Sequence, residues 1–302
     1  MSEKILCIDG GGTWFRYALV GGPVGQLELE DKGRQPSPKD FSGLKSQIKS
    51  AIKDIDCEGV AFAVAGPVTN HESMKDVANI PFLSHQNLKK WVEEEIKKPC
   101  VVINDMEAAL AGEVEKGVLQ GCEWAIFDTL STGWGGALLL NGVEVPGEPG
   151  HINAGFDLDF VCGCGRVGCN EARFAGGATS RRVRRISETR GRVIPEDVDA
   201  GSVLTEEAKK GTHWAVQLYR EVGEGIGRAW ANVLNRIPLI EKIVYMGSFG
   251  IHGMPFMKES IVNTIRRITM FPDEHWNIPI VPSEAENGPL YGAVRVYRRI
   301  RG

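Results

Sequence analysis

The sequence predicts an α/β protein of two domains, and three observations carry that expectation. The chain has 302 residues, more than one hydrophobic core comfortably organises. Short apolar strands alternate with amphipathic helices along its length. A strand, a glycine turn and a second strand occur near residues 5–20 and again near 124–145, as after an internal duplication.

The elements follow in order. Residues 5–8 form a first strand, residues 9–13 the glycine turn and residues 15–20 a second strand closed by Gly21 and Gly22. Residues 42–54 carry helical periodicity, and residues 59–64 form an apolar strand ended by Gly66 and Pro67. An amphipathic helix over 87–97 precedes a buried strand at 101–103. Asn104 or Asp105 can then cap a helix over 106–116. In the second cycle, strands at 124–130 and 137–140 flank the turn 131–136, and Asn141-Gly142 signals a hairpin. Beyond residue 169 the chain turns helical, the longest helix covering 212–237. Strands at 242–245 and 279–281 precede a closing helix at 288–299, whose basic end suits the helix dipole.

Composition narrows the function classes. Hydrophobic residues make up 42% and charged residues 25%, ordinary for a globular chain. A net charge of -4 argues against nucleic acid as the main partner. The basic cluster Arg181, Arg182, Arg184 and Arg185 reads as a solvated helix face. No apolar run approaches the ~20 residues a membrane span needs, and the N-terminus lacks a leader's apolar stretch, so a cytoplasmic location with no membrane partner is expected. Of seven cysteines, Cys7, Cys57, Cys100 and Cys122 stand singly in apolar surroundings and read as small buried hydrophobes.

The other three carry chemistry. Cys162, Cys164 and Cys169 lie within eight residues, interleaved with Gly163, Gly165 and Gly168, and His151 precedes them by eleven. Three thiolates and one imidazole make a closed tetrahedral zinc site, structural because no position stays open for water. An iron–sulfur cluster would want a fourth thiolate, and the remaining cysteines are distant in sequence.

The glycine turns suit phosphate. In Asp9-Gly10-Gly11-Gly12-Thr13, backbone N–H groups can converge on an anion with no Cβ in the way, and Thr13 adds a hydroxyl donor. An acid beside phosphates requires a cation between them, which gives Asp9 a Mg²⁺ ion to hold. Ser131-Thr132-Gly133-Trp134-Gly135-Gly136 repeats the arrangement. Neither turn is a Walker A loop, since both lack Gly-Lys-Ser/Thr, and neither is a dinucleotide fingerprint, since no strand–turn–helix order follows.

Together these residues resemble the ROK family of sugar kinases, within the hexokinase–actin superfamily. Asp9 to Thr13 with Arg16 is similar to its first phosphate motif, and Ser131 to Gly136 to its second. Ala65-Gly66-Pro67-Val68 resembles its early turn, and Asn104-Asp105 its catalytic pair. Gly147-Glu148-Pro149-Gly150-His151 resembles its sugar motif, Cys162 to Glu171 its cysteine signature and Met246-Gly247-Ser248 its nucleoside turn. The resemblance implies two ribonuclease-H-like (actin-like ATPase) domains flanking a cleft. The smaller would comprise residues 1–105 with 286–302, and the larger residues 106–285 with the zinc knuckle.

It also implies roles. Asp105 is the general base; Gly66, Asn104, Glu148, His151 and Glu171 bind the sugar; Asp9, Gly11, Gly12, Thr13, Thr132, Gly133, Gly247 and Ser248 bind Mg·ATP. His151 then serves zinc through one ring nitrogen and the sugar through the other. The implied reaction is ATP-dependent phosphorylation of a hexose at its 6-hydroxyl, glucose first, with a homodimer or higher homo-oligomer expected. Fructose, N-acetylmannosamine or N-acetylglucosamine are alternative substrates. A non-catalytic sugar-sensing regulator is the alternative outside the kinases. It is disfavoured because Asp105 is present and the phosphate motif starts at Asp9, ahead of which no helix-turn-helix fits. Ser131 for glycine, Trp134 for an aliphatic residue and Phe249 in the nucleoside turn depart from the family pattern. Trp14 reads as packing and His71 as a surface-turn histidine.

Overall fold

The computed structural model describes residues 4–52, 56–75, 77, 80–153, 155 and 160–302. The chain divides into two compact units, Met1–Gly121 with Glu284–Gly302, and Cys122–Ser283. The first begins with β1 (Ile5–Gly10), β2 (Trp14–Gly21), β3 (Glu28–Pro36), α1 (Phe41–Ile52), β4 (Gly59–Val64) and the short pair β5 (Val68–Thr69) and β6 (Ser73–Met74). It continues with α2 (Leu88–Glu95), β7 (Cys100–Asn104) and α3 (Asp105–Lys116). The second holds β8 (Trp124–Leu130), β9 (Trp134–Leu140), β10 (Val143–Gly147), α4 (Asn170–Phe174), α5 (Gly176–Thr189) and α6 (Ala200–Lys209). Then come α7 (His213–Arg236), β11 (Lys242–Met246), α8 (Ser248–Ile268), α9 (Pro272–His275) and β12 (Ile280–Pro282), before α10 (Gly288–Arg301) returns to the first unit.

Both units build the same sheet. The first has the order β3-β2-β1-β4-β7 and the second β10-β9-β8-β11-β12. In each, the first three strands form an antiparallel meander and the last two join the sheet in parallel. This is the ribonuclease-H-like arrangement expected, present twice, and it gives the strand–turn–strand repeat a structural basis. The apolar runs of β4 and β7 are buried throughout, as parallel strands covered on both faces must be.

Local signals place most boundaries. Asn141 (φ 53°) and Gly142 (φ 75°) take the left-handed conformations that a tight hairpin turn between β9 and β10 demands. Asn104 caps α3, its Oδ1 accepting the N–H groups of Met106 and Glu107 at 2.9 and 3.2 Å. The helix expected over 42–54 is α1; residues 53–54 lie outside the described residues. Besides the short β5, β6 and α9, two longer elements lack a sequence signal. β3 is a largely exposed, charged edge strand without an apolar alternation to reveal it. α8 opens with glycines and carries Pro255, both poor helix signals.

The boundary expected at residue 105 is corrected to Gly121, and that at 286 to Glu284. Helix contact is the reason. α3 and α10 cross with backbones touching: a Cβ built on Gly292 would lie 1.9 Å from the Ala108 carbonyl oxygen. α3 therefore belongs to the first unit. The buried Glu113 carboxylate adds a clamp inside it, accepting N–H groups from Glu284 at 3.0 Å, Ala285 at 2.8 Å and Val118 at 2.9 Å.

A methyl group at residue 292 must push the two helices apart. Gly292→Ala is expected to cost about 3 kcal/mol, read as a lower urea midpoint with an unchanged m-value.

Candidate functional site

In the first unit, β1, β4 and β7 run parallel and in register, pairing Gly10 with Val64 and Val64 with Asn104. The phosphate turn, the Gly66 turn and the Asn104-Asp105 pair therefore leave the sheet at one edge, the carboxyl ends of parallel strands where α/β proteins bind ligands. The Ala65 N–H donates to the Gly10 carbonyl at 3.3 Å, tying the first two together. Asn104 Nδ2 donates to the Gly66 carbonyl at 3.0 Å, tying the second to the third.

Asn104 thus spends its oxygen on the α3 cap and one amide hydrogen on Gly66, leaving a single donor for a ligand. Asp105, the first residue of α3, is half-buried, and its Oδ1 accepts the Met106 N–H at 2.9 Å. At the first glycine turn, the Gly11 N–H donates to the Trp14 carbonyl at 3.0 Å, and the next two residues, Gly12 and Thr13, are exposed. Asp9 sits opposite Arg16 across β1 and β2. Burial pushes its carboxyl above the usual range, and the Arg16 guanidinium pulls it back.

Residues without an assigned role find one in structure. Trp14 is 43% exposed rather than packed, with the Arg34 guanidinium 4.7 Å over its ring. His71 stands in the β5–β6 turn with Nδ1 3.1 Å from the Val102 carbonyl, and burial lowers its pKa. In the basic cluster, Arg184 donates to the carbonyls of Ile194, Pro195 and Val198, so it fastens a loop rather than only facing solvent.

In the second unit, the sugar-motif turn and the cysteine knuckle form one assembly. Pro149–His151 make a short 3₁₀ turn directly after β10. The Asn170 amide donates to the Pro149 carbonyl at 3.0 Å, fastening the knuckle to that turn. The ligand atoms of His151, Cys162, Cys164 and Cys169 lie within 4.8 Å of one another. A tetrahedral zinc with Zn–S near 2.3 Å requires S···S separations of about 3.8 Å and somewhat shorter S···N ones. Cys164 and Cys169 sulfurs are 3.8 Å apart, and Cys162 Sγ is 3.6 Å from His151 Nδ1. The donor set and its spacing fit zinc.

Glu171 joins this knuckle to the second glycine turn. One carboxylate oxygen accepts the Trp134 N–H at 3.0 Å, and the other lies 3.6 Å from Cys162 Sγ. The Ser131 N–H is spent on the Gly133 carbonyl at 3.0 Å. The N–H groups that remain at this turn are those of Thr132 and Gly133. Glu148 shares the neighbourhood of His151 and Glu171. Burial raises its pKa, His151 opposes that, and the Glu171 charge adds to it.

The nucleoside turn lies on the same unit. Gly247 has φ 90°, and a Cβ there would meet Ser131 Oγ at 2.4 Å, so only glycine fits. Thr132, Ser248 and Phe249 line a cavity of about 760 Å³ together with Gly176, Gly177 and Tyr219. Phe249 stacks against Tyr219 with ring centroids 6.2 Å apart. Gly176 and Gly177 were missed from sequence. They open α5, and their N–H groups donate to the Ser131 and Thr132 carbonyls at 2.8 and 3.0 Å. The Ala-Gly-Gly run at 175–177 was the available signal.

The ROK family profile matches residues 5–300. A glucokinase from Halalkalibacterium halodurans is 31% identical over 275 residues, spanning 83% of this chain and 82% of that protein. An N-acetylmannosamine kinase from Haemophilus influenzae is 26% identical over 257 residues, spanning 82% and 81%. Among solved structures, a ROK family glucokinase from Streptomyces griseus in complex with glucose and AMPPNP superposes with TM-score 0.73 at 25% identity, covering 98% of this chain and 99% of that one. A ROK hexokinase from Thermus thermophilus shares the fold, with TM-score 0.79, 22% identity and 99% coverage of each. With the motifs, the duplicated sheet and a profile match over nearly its whole length in agreement, this chain belongs to the ROK family.

Proposed function

We propose that this protein is an ATP-dependent kinase that phosphorylates a hexose, glucose first, at its 6-hydroxyl. The observation that carries the reading is the division of labour at the head of α3. Asn104 is committed to the cap and to Gly66, and the half-buried carboxylate of Asp105 stands beside it at the first position of the helix, in place to act as general base. The similarity to a glucokinase at 31% identity supports the same reading.

In this mechanism Asp105 takes the proton of the attacking sugar hydroxyl as the phosphoryl group arrives. Glu148 and Glu171 accept hydrogen bonds from sugar hydroxyls, Asn104 donates its remaining amide hydrogen, and the Gly66 backbone lies alongside. His151 offers Nδ1 to zinc, since that nitrogen faces Cys162 Sγ, and keeps Nε2 for the sugar. The N–H groups of Gly12, Thr13, Thr132 and Gly133 hold the phosphates, with Gly11 shaping the first turn. Ser248 and Phe249 line the cavity read as the nucleoside site, and Gly247 makes the turn that leads into them. Asp9 holds Mg²⁺, which supplies the charge neutralisation that phosphoryl transfer needs. Zinc supplies no chemistry at the phosphate; it fixes the loop that carries His151 and Glu171. We place the protein in the cytoplasm, where its thiols stay reduced, as a homodimer or higher homo-oligomer.

N-acetylmannosamine is the second substrate to test, because relatives at 26–29% identity are N-acetylmannosamine kinases.

Asp105→Asn is expected to lower kcat by about 10³-fold in a coupled ADP-release assay while the sugar Kd changes little. Near-normal turnover would remove Asp105 as the base. Metal analysis of the wild type is expected to give close to one zinc per chain. Cys164→Ser is expected to lose that zinc and raise the sugar KM by about tenfold or more, with the ATP KM within about twofold. Zinc content under half an equivalent in the wild type would contradict the Cys₃His assignment.

A further inference from the structure

Trp134 is held at three points in the second unit. Its indole Nε1 donates to Asp128 Oδ2 at 2.9 Å. Its backbone N–H donates to Glu171 Oε2 at 3.0 Å. Its carbonyl oxygen lies against the sugar-motif turn, 2.2 Å from where a Cβ on Gly150 would stand. The same Asp128 oxygen accepts a second indole N–H, from Trp230 of α7, at 2.8 Å.

Asp128 is 3% exposed, and among the described residues no cation pairs with it. Burying a carboxylate on such terms is costly. Burial pushes its carboxyl up to about 6, and the two indole N–H groups draw it back. It therefore stays mostly ionised at neutral pH, and both hydrogen bonds are charge-assisted and directional. An apolar side chain of similar volume would fill the space at less cost. What it could not do is hold two indoles at fixed angles.

We propose that Asp128 is a positioning residue that, through Trp134, fixes where the Glu171 carboxylate is held for the sugar. This rests on the reading of Glu171 as a sugar ligand. The Trp230 indole anchors the carboxylate to α7. The Trp134 indole transmits that position along its own residue to the N–H that grips Glu171 and the carbonyl against Gly150. Asp128, Trp134 and Trp230 line a cavity of about 520 Å³ that Glu148 also borders, and the Trp134 N–H reaches Glu171, so the device touches the surroundings of both carboxylates read as sugar ligands. It also accounts for the bulky Trp134 in a turn where the family pattern has an aliphatic residue: the indole is there for its N–H.

The test uses Trp134→Phe, which keeps a ring and the backbone N–H but removes the indole donor. Amide exchange over residues 131–136 should rise about tenfold while exchange in β11 stays unchanged, because one charge-assisted bond is lost locally. Glucose binding measured by calorimetry should weaken about tenfold. In a Glu171→Ala background the same substitution should weaken binding no further, since its route to the sugar is already cut. Equal losses in both backgrounds, or unchanged exchange over 131–136, would overturn the proposal. Should Trp134→Phe fail to fold, Asp128→Asn is read in the same three ways, with the same outcomes expected. Absent turnover of every hexose by the wild type would sink the kinase reading instead, and the exchange measurement would still decide the role of Asp128.

Discussion

One carboxylate holds the functional end of the second unit together. Glu171 reaches the Trp134 N–H with one oxygen and lies beside Cys162 Sγ with the other. The glycine turn, the cysteine knuckle and, through Asn170, the Pro149–His151 turn are thereby fixed with respect to one another. Each is short and rich in glycine, and apart from Trp134 each offers few large apolar side chains to hold its shape. Directed hydrogen bonds, and the zinc that the Cys₃His donor set fits, would supply the remaining rigidity. On the proposed reading, the zinc ligands and the sugar ligands interleave in sequence because one loop would carry both.

The first unit solves the same problem with a helix. Asn104 caps α3 and holds the Gly66 carbonyl, while the Gly10 carbonyl holds Ala65, so three turns at the ends of three parallel strands become one rigid edge. The contact of α3 with α10 then ties that edge to the end of the chain. Phosphoryl transfer asks mostly for position and charge, and both units spend their polar groups on position.

Much of this was legible in the sequence because it is encoded locally. The Asn141-Gly142 turn, the Asn104 cap, the repeated glycine turns and the cysteine spacing each depend on residues a few positions apart. What was hidden depends on distant partners. Nothing near residue 105 reveals that α3 packs backbone to backbone on a helix beginning at residue 288. Trp134 looked like an anomaly in a phosphate turn because its reason, Asp128 with Trp230, comes from another strand and another helix. Gly176 and Gly177 act through N–H groups, which leave no side-chain signature. β3 is polar because it is an edge, and polarity alone does not distinguish an edge strand from a loop.

The central claim is that the two sets of turns serve transfer of a phosphoryl group from ATP to a sugar hydroxyl. The most direct measurement follows the product itself, with the intact protein, Mg·ATP and glucose labelled with ¹³C at carbon 6. The account predicts that the carbon-6 resonance acquires coupling to phosphorus as an equal amount of ADP appears. An unchanged carbon-6 resonance, with no sugar-dependent ADP release from glucose, fructose, N-acetylmannosamine or N-acetylglucosamine, would contradict it.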